Sequence, residues 1–448
     1  ALAVGKYRIA FGMGLVANLD YSLGKTIMLS SLGRTSTAVL AHSSLSDYNY
    51  LRGAAATVAL SRSIDVTAFF SHRDIDATMD DEHGTITTIL RNGYHRTESE
   101  LRRKHNASQM ATGADMTLRL GQVRLGLSGV YTSFSRDLVP NKSQDYRRYY
   151  PEGNGFYNIG VHYGYTTPRL SIKGETAVCD TRAMATVNTV SCRLGNDVTA
   201  MALQRFYSYK YYALLGNSFK SGSSVQNESG IYAGINWNLS HCLSFEAYAD
   251  YAHYPWKRYL VSASSRSVEG MLQMSYHGGQ LTAAARYQLR MREKDNEKKT
   301  ALIDDGVQRM RLWAAYDWDK VSVKAQGNVA FARYKNESQG WMTAVETEYE
   351  PFAWLRLNAS GCYFSTDDYA SRIYAYEKGL LYSMGTQMYY GKGFRFVLMA
   401  RCSVGKKVMV IAKGAMTKYN DRDHISSGLQ QIDGSSMTDL YLQVRVKL

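Results

Sequence analysis

The residues with which this chain could do chemistry are ten histidines, five cysteines and a surplus of basic over acidic side chains. Histidine and cysteine supply little. No CxxC, HExxH or calcium-loop pattern occurs, and Gly391-Lys392-Gly393 lacks the remainder of a phosphate-binding loop. Cys179 and Cys192 fall at different depths of neighbouring segments, while Cys242, Cys362 and Cys402 fall on separate hairpins, so no disulfide is expected. These thiols read as small apolar side chains. His424, between Asp423 and Ser426, alone combines the residue types of a hydrolase, and in a polar stretch such a group is an ordinary solvated loop. No catalytic residue, metal site or cofactor is expected, and the chain is read as no enzyme.

The net charge of +14 says more through its positions. Arg119, Arg124, Lys173, Arg286, Arg290, Lys324, Arg356, Arg395, Arg401, Lys413, Arg445 and Lys447 occupy alternate positions of segments whose other positions are apolar. Acids on the same faces are fewer, namely Glu175, Glu246, Asp250 and Asp439. A water-filled lumen lined in this way would attract anions. If loops or acids neutralise the bases, the same residues line a plugged scaffold.

That inference needs elements that put alternate residues on opposite faces. Leu440, Leu442, Val444, Val446 and Leu448 alternate with Asp439, Tyr441, Gln443, Arg445 and Lys447 at the end of the chain. The period of two recurs over 243–251, 281–292 and 321–331. About ten alternating residues suit a tilted membrane-spanning strand with lipid on one side and a lumen on the other. Mean hydropathy is -0.33 and no run approaches 18 uncharged apolar residues, which excludes helical spans. Thirty-five tyrosines and 37 glycines against 5 prolines suit strands that curve, meet a wet interface and have no free edge.

Tight turns are expected near 61–63, 121–122, 167–169, 195–197, 239–241, 277–279, 317–319, 350–352 and 405–407. Longer polar connections alternate with them: 74–108, 136–154, 209–229, 255–267, 293–305, 365–393 and 419–436. With an opening strand over 7–16 and a closing one over 438–448, the fold class is all-β. It is a transmembrane antiparallel up-and-down β-barrel of about 20 strands (18–22), with short periplasmic turns and long external loops. The chain 1–448 reads as a single barrel domain with both termini periplasmic. Parity makes 365–393 one long loop rather than an extra strand. Within 74–108, Thr97 and Glu100 have capping-box spacing, so a short helix is expected there. Both loops are candidates for folding into the lumen. The plug is expected to use Tyr374, Tyr376, Glu377, Tyr389, Tyr390 and Lys392, with Tyr382 nearby, because a solvated loop would not carry so many rings. The chain has no initiator Met, basic n-region or apolar h-region, so a cleaved signal peptide or an excised part of a longer protein is expected.

Tyr50-Leu51-Arg52-Gly53-Ala54-Ala55-Ala56-Thr57, Gly93-Tyr94-His95-Arg96-Thr97-Glu98-Ser99-Glu100, Ile373-Tyr374-Ala375-Tyr376-Glu377 and Tyr389-Tyr390-Gly391-Lys392-Gly393 occur in that order. In these motifs nearly the whole chain resembles the barrel part of a family of Bacteroidota outer-membrane proteins. In that family a periplasmic helix-hairpin-helix module, similar to those of competence DNA-binding proteins, precedes the barrel. The chain departs from the pattern at Ile425-Ser426-Ser427-Gly428-Leu429 and in ending on Leu448 rather than Phe. The resemblance implies architecture and location more than activity. It carries no helix-hairpin-helix module here, so direct nucleic-acid binding by this segment is not expected.

Three functions stay open. The first is an anion-preferring pore or transport channel with an Arg/Lys-rich lumen. The second is a non-conducting, loop-plugged scaffold subunit of an envelope assembly, secretion or DNA-uptake complex. The third and least favoured is an outer-membrane hydrolase. All imply the outer membrane of a Gram-negative bacterium, contact with its lipid and lipopolysaccharide, insertion by the barrel-assembly machinery, and envelope protein partners for the scaffold reading.

Overall fold

A computed structural model of the chain describes residues 1–20, 24–31, 38–44, 48–383 and 385–447. Leu448, expected on the apolar face of the last strand, lies outside the described residues. The protein is all-β: among the described residues 23 strands belong to one sheet, and no helix is long and apolar enough to cross a membrane. Three of the 23, Ala38–Ala41, Ala77–Asp80 and Thr85–Ile89, are short pieces within connections. The other twenty run from 9 to 17 residues.

Neighbours along the chain pair antiparallel. Val321–Arg333, for example, is in register with Leu302–Trp318 on one side and Glu337–Phe352 on the other. Ala107–Leu120 turns into Val123–Leu138 through Gly121-Gln122, where Gly121 has φ +60°, the left-handed conformation that a two-residue hairpin requires. The turn expected at 350–352 sits slightly later. Pro351 is accommodated at a register shift between Tyr349 and Phe352, and the chain reverses after Phe352.

The opening strand also differs from expectation. It is Leu2–Ala10 rather than 7–16, and the chain leaves the sheet at Phe11. Phe11, Met13, Leu15, Val16 and Ala17 are all buried, so this stretch has no wet face and cannot alternate. Gly12 and Gly14, at φ +51° and +87°, make the reversal. A Cβ on Gly14 would lie 2.6 Å from the Asn217 carbonyl oxygen.

The chain divides into two compact units. The first comprises 1–236, 248–268 and 293–302; the second comprises 237–247, 269–292 and 303–448. In both, polarity is inverted relative to a water-soluble sheet. In the first, Leu125, Leu127, Ile159 and Val161 are exposed while Ser128, Glu175 and Arg205 are buried. In the second, Leu398, Leu440 and Leu442 are 68%, 81% and 72% exposed, yet Arg395 on the same wall is 5% exposed. Each such leucine left in water forgoes about 1.5–3 kcal/mol of burial. The sheet therefore presents apolar side chains to its surroundings and covers its polar face with its own chain.

In the second unit that cover is the 365–393 segment. Leu355–Thr366 pairs directly with Lys392–Val404, so the segment is an excursion between adjacent strands and not an extra strand. It carries its own hairpin, Ile373–Tyr376 with Thr386–Tyr389. Ile373, Ala375 and Tyr389 pack with Ala330, Met342 and Phe364 of the wall. In the first unit, the 74–108 connection contains the helix Glu98–Arg102, whose Thr97 hydroxyl accepts from the Glu100 amide at 3.2 Å in a full capping box.

Candidate functional site

The chemistry of the second unit converges on Glu377. This residue follows the strand Ile373–Tyr376, whose short ladder holds it against the wall. Arg395 donates to it through Nε at 2.7 Å and Nη2 at 3.0 Å, and Lys413 through Nζ at 2.7 Å. Arg395 also donates to Thr417 Oγ1 at 2.7 Å and lies 3.5 Å from Asp439. Burial pushes the Glu377 carboxyl upward, but the hydrogen bonds from Arg395 and Lys413 prevail and hold it below its usual range. Next along the chain, Lys378 is bound by Glu346 and Glu348. Burial disfavours its charge, yet these carboxylates raise its pKa. Gln443 closes the attachment, accepting from the Leu381 amide at 2.8 Å and donating to the Leu381 carbonyl.

Of the aromatic residues expected around this acid, Tyr389 is buried and its hydroxyl faces Glu377 at 3.5 Å. Tyr390 packs edge-on against Tyr369 and beneath the Arg422 guanidinium. Tyr374, Tyr376 and Tyr382 remain exposed, and Lys392 sits on the exposed start of its strand. The rings therefore do not form one cluster.

The twelve basic residues separate by environment. Arg395 and Lys413 are consumed by Glu377. Arg119 pairs with Asp65, and Arg124 stands across the ladder from Arg119. Arg356 pairs with Glu350 and Glu348 and faces Arg401. Lys447 is exposed, Arg445 approaches the Tyr382 ring at 5.9 Å, and Lys173 lines a small cavity with Arg169 and Arg193. Lys324 rests on the Trp313 ring at 5.0 Å. Arg286 donates to Gln273 at 2.6 Å, while Arg290 has no carboxylate within ion-pair distance among the described residues.

The first unit contains a buried network that sequence reasoning missed. Arg205, wholly enclosed on strand Val198–Tyr207, donates to Glu228 at 2.5 Å and to both oxygens of Asp250 at 2.7 and 3.2 Å. Lys25 reaches Asp250 at 2.6 Å and Ser221 at 2.8 Å, giving two cations against two carboxylates. Glu175 receives the backbone amides of Met13, Leu15 and Val16 at 2.5, 3.2 and 3.2 Å. Tyr211 donates to the Leu15 carbonyl at 2.9 Å.

Asp115 gathers His162, Ser128 and Thr117 at 2.7, 2.7 and 2.9 Å. The Ser128 hydroxyl donates to the carboxylate rather than to the imidazole, so this is not a nucleophile paired with its base. His424 lies exposed on a two-residue strand opposite Asp433. A separate cavity of about 750 Å³ is bordered by Tyr50, Arg73, Asp76, Arg91, His95 and Lys220.

No family model matches the chain. No curated protein matches it either. Among solved structures, the siderophore receptor PirA of Acinetobacter baumannii is similar at 7% identity and a TM-score of 0.47, over 88% of this chain and 70% of that one. The FrpB iron transporter of Neisseria meningitidis (F3-3 variant) gives 9% identity and a TM-score of 0.40 over 82% of this chain, which spans 59% of that protein. The outer-membrane expressed OmpT of Vibrio cholerae gives 9% and 0.36, over 77% of this chain and 99% of that one. Similarity at this level does not carry an activity from one protein to another.

Proposed function

We propose that the protein is a closed outer-membrane β-barrel of about 20 strands whose lumen is filled by its own loops, and that it serves as a non-conducting scaffold subunit of an envelope assembly. The observation that carries this reading is Glu377, held inside the unit by Arg395 and Lys413. Charge that would attract ions in an open channel is spent on fastening a loop. The exposed apolar faces meet lipid, lipopolysaccharide surrounds the long loops, and the barrel-assembly machinery inserts the chain with both termini periplasmic. On the ordered motifs Tyr50–Thr57, Gly93–Glu100 and Tyr389–Gly393 we assign it to the barrels that accompany helix-hairpin-helix modules. One observation favours the pore reading: arginines of the second unit, Arg290 among them, that form no ion pair with a carboxylate among the described residues.

Planar-bilayer recording separates the two. The scaffold reading expects no unitary current from the intact chain, and anion-selective current after deletion of 374–390. Stable current from the intact chain, reversing toward the anion equilibrium potential, overturns it.

A further inference from the structure

The strands Leu281–Asp295 and Leu302–Trp318 adjoin, with the Asp317 amide donating to the Gln280 carbonyl and Tyr287 to Gln308. Their exposed positions carry Met291, Met310, Leu312, Tyr316 and Trp318. The opposite positions carry Arg286, Arg290, Arg292, Arg309 and Arg311, and Arg372 of the 365–393 segment is an electrostatic neighbour of Arg309. Arg290 has Arg292 and Arg309 as electrostatic neighbours, and Arg311 has Arg286 and Arg309.

None of these six guanidiniums lies within ion-pair distance of a carboxylate among the described residues. Glu269 and Asp305 are electrostatic neighbours of Arg290 and Arg309. Three of the arginines have polar partners: Arg286 uses Gln273, Arg311 uses Asn328 and the Tyr374 carbonyl, and Arg372 uses the Tyr374 hydroxyl and the Tyr369 carbonyl. Nε of Arg290, Arg292 and Arg309 is buried with no partner. Partly desolvated like charges repel, and donors left unmade are expensive. The same unit satisfies Arg395 and Lys413 with an internal acid, so an anion from outside the chain is the missing partner here.

We propose that this array is a binding site for a soluble multivalent phosphate, a chain of phosphate groups rather than a single ion. Guanidinium forks match phosphate oxygens bidentately. Arg286 to Arg292 extends about 20 Å along the strand, too long for one phosphate. A lipid-borne phosphate is disfavoured because the apolar positions, not the arginines, form the face that our functional reading gives to lipid. The ligand requires only the arginine array, so its binding is independent of whether the barrel conducts.

The test uses the full chain in detergent, titrated calorimetrically with inorganic tripolyphosphate and separately with orthophosphate. Tripolyphosphate should bind at least about tenfold more tightly, and Arg290→Gln/Arg309→Gln should weaken it by about tenfold or more, with Arg309→Lys losing less. In the unaltered protein, tripolyphosphate should slow phenylglyoxal modification of Arg290, Arg292 and Arg309, read by mass spectrometry, and leave exposed Arg333 unprotected. That protection pattern decides the matter if the double variant misfolds. Absence of binding, equal affinity for the two phosphates, uniform protection, or protection of vesicle-incorporated protein only by a phosphorylated glycolipid would overturn the proposal.

Discussion

Replacing Glu377 by Gln keeps the shape of the side chain and removes its charge, leaving Arg395 and Lys413 buried without their shared carboxylate. Breaking one side of a buried ion pair costs about 3–5 kcal/mol. The lower end applies here, because Arg395 keeps Thr417 and the more distant Asp439, and Lys413 keeps the Lys378 carbonyl at 2.8 Å. A loss of about 3 kcal/mol corresponds to roughly a hundredfold increase in the detached fraction of the 365–393 segment. Trypsin reports that fraction, since Arg372 and Lys378 lie within the segment and cleavage of a transiently opened state follows its population. Native trypsinolysis of Glu377→Gln should therefore be faster by about two orders of magnitude, while Tyr376→Ala, an exposed ring, should leave the rate unchanged. Acid should mimic the substitution. The Glu377 pKa is lower attached than detached, so its contribution is fully present above the ordinary glutamate value and is lost as pH falls through the depressed one. Equal cleavage rates for the two proteins at neutral pH would refute the clamp.

Two further substitutions probe the two faces of the sheet. Val444→Arg, on the exposed apolar face of Ser436–Val446, should destabilise the membrane-inserted protein by about 2–4 kcal/mol, measured by urea refolding into lipid vesicles; a neutral effect would mean that this face does not meet hydrocarbon. Arg205→Met should cost about 3 kcal/mol by removing the cation of Glu228 and leaving Asp250 to Lys25, lowering the temperature at which the protein loses its compact gel mobility; an unchanged transition would show the network to be dispensable.

The strand ladder was legible because its signals are local. Alternation such as Leu440 to Val446, and turn residues such as Gly121, act within a few positions. The opening strand was overextended because 11–18 is apolar without being a strand; Gly12 and Gly14 were the available sign that the chain turns inward there. Glu377 and the rings were expected together in one plug; the structure buries Tyr389 but leaves Tyr374, Tyr376 and Tyr382 exposed, a split that nothing local in the sequence announces. Arg205 stayed hidden for a different reason. Its partners Glu228 and Asp250, and Lys25 that shares Asp250, come from three remote parts of the chain, and Lys25 and Glu228 belong to no pattern of their own.

The fastening of residues 13–16 to Glu175 has a consequence for biogenesis. The carboxylate lies on the strand Leu170–Cys179, and its amide donors among the described residues come from a segment more than 150 residues earlier in the chain. Glu175 is sealed from water in the finished unit, so enclosing it before residues 13–16 arrive would leave a desolvated carboxyl without its hydrogen-bond partners. The N-terminal segment must therefore be seated while the wall is still open. Residues 13–16 act as a mandrel around which the later strands are laid, and a chain inserted strand by strand without them would stall with its interior still wet.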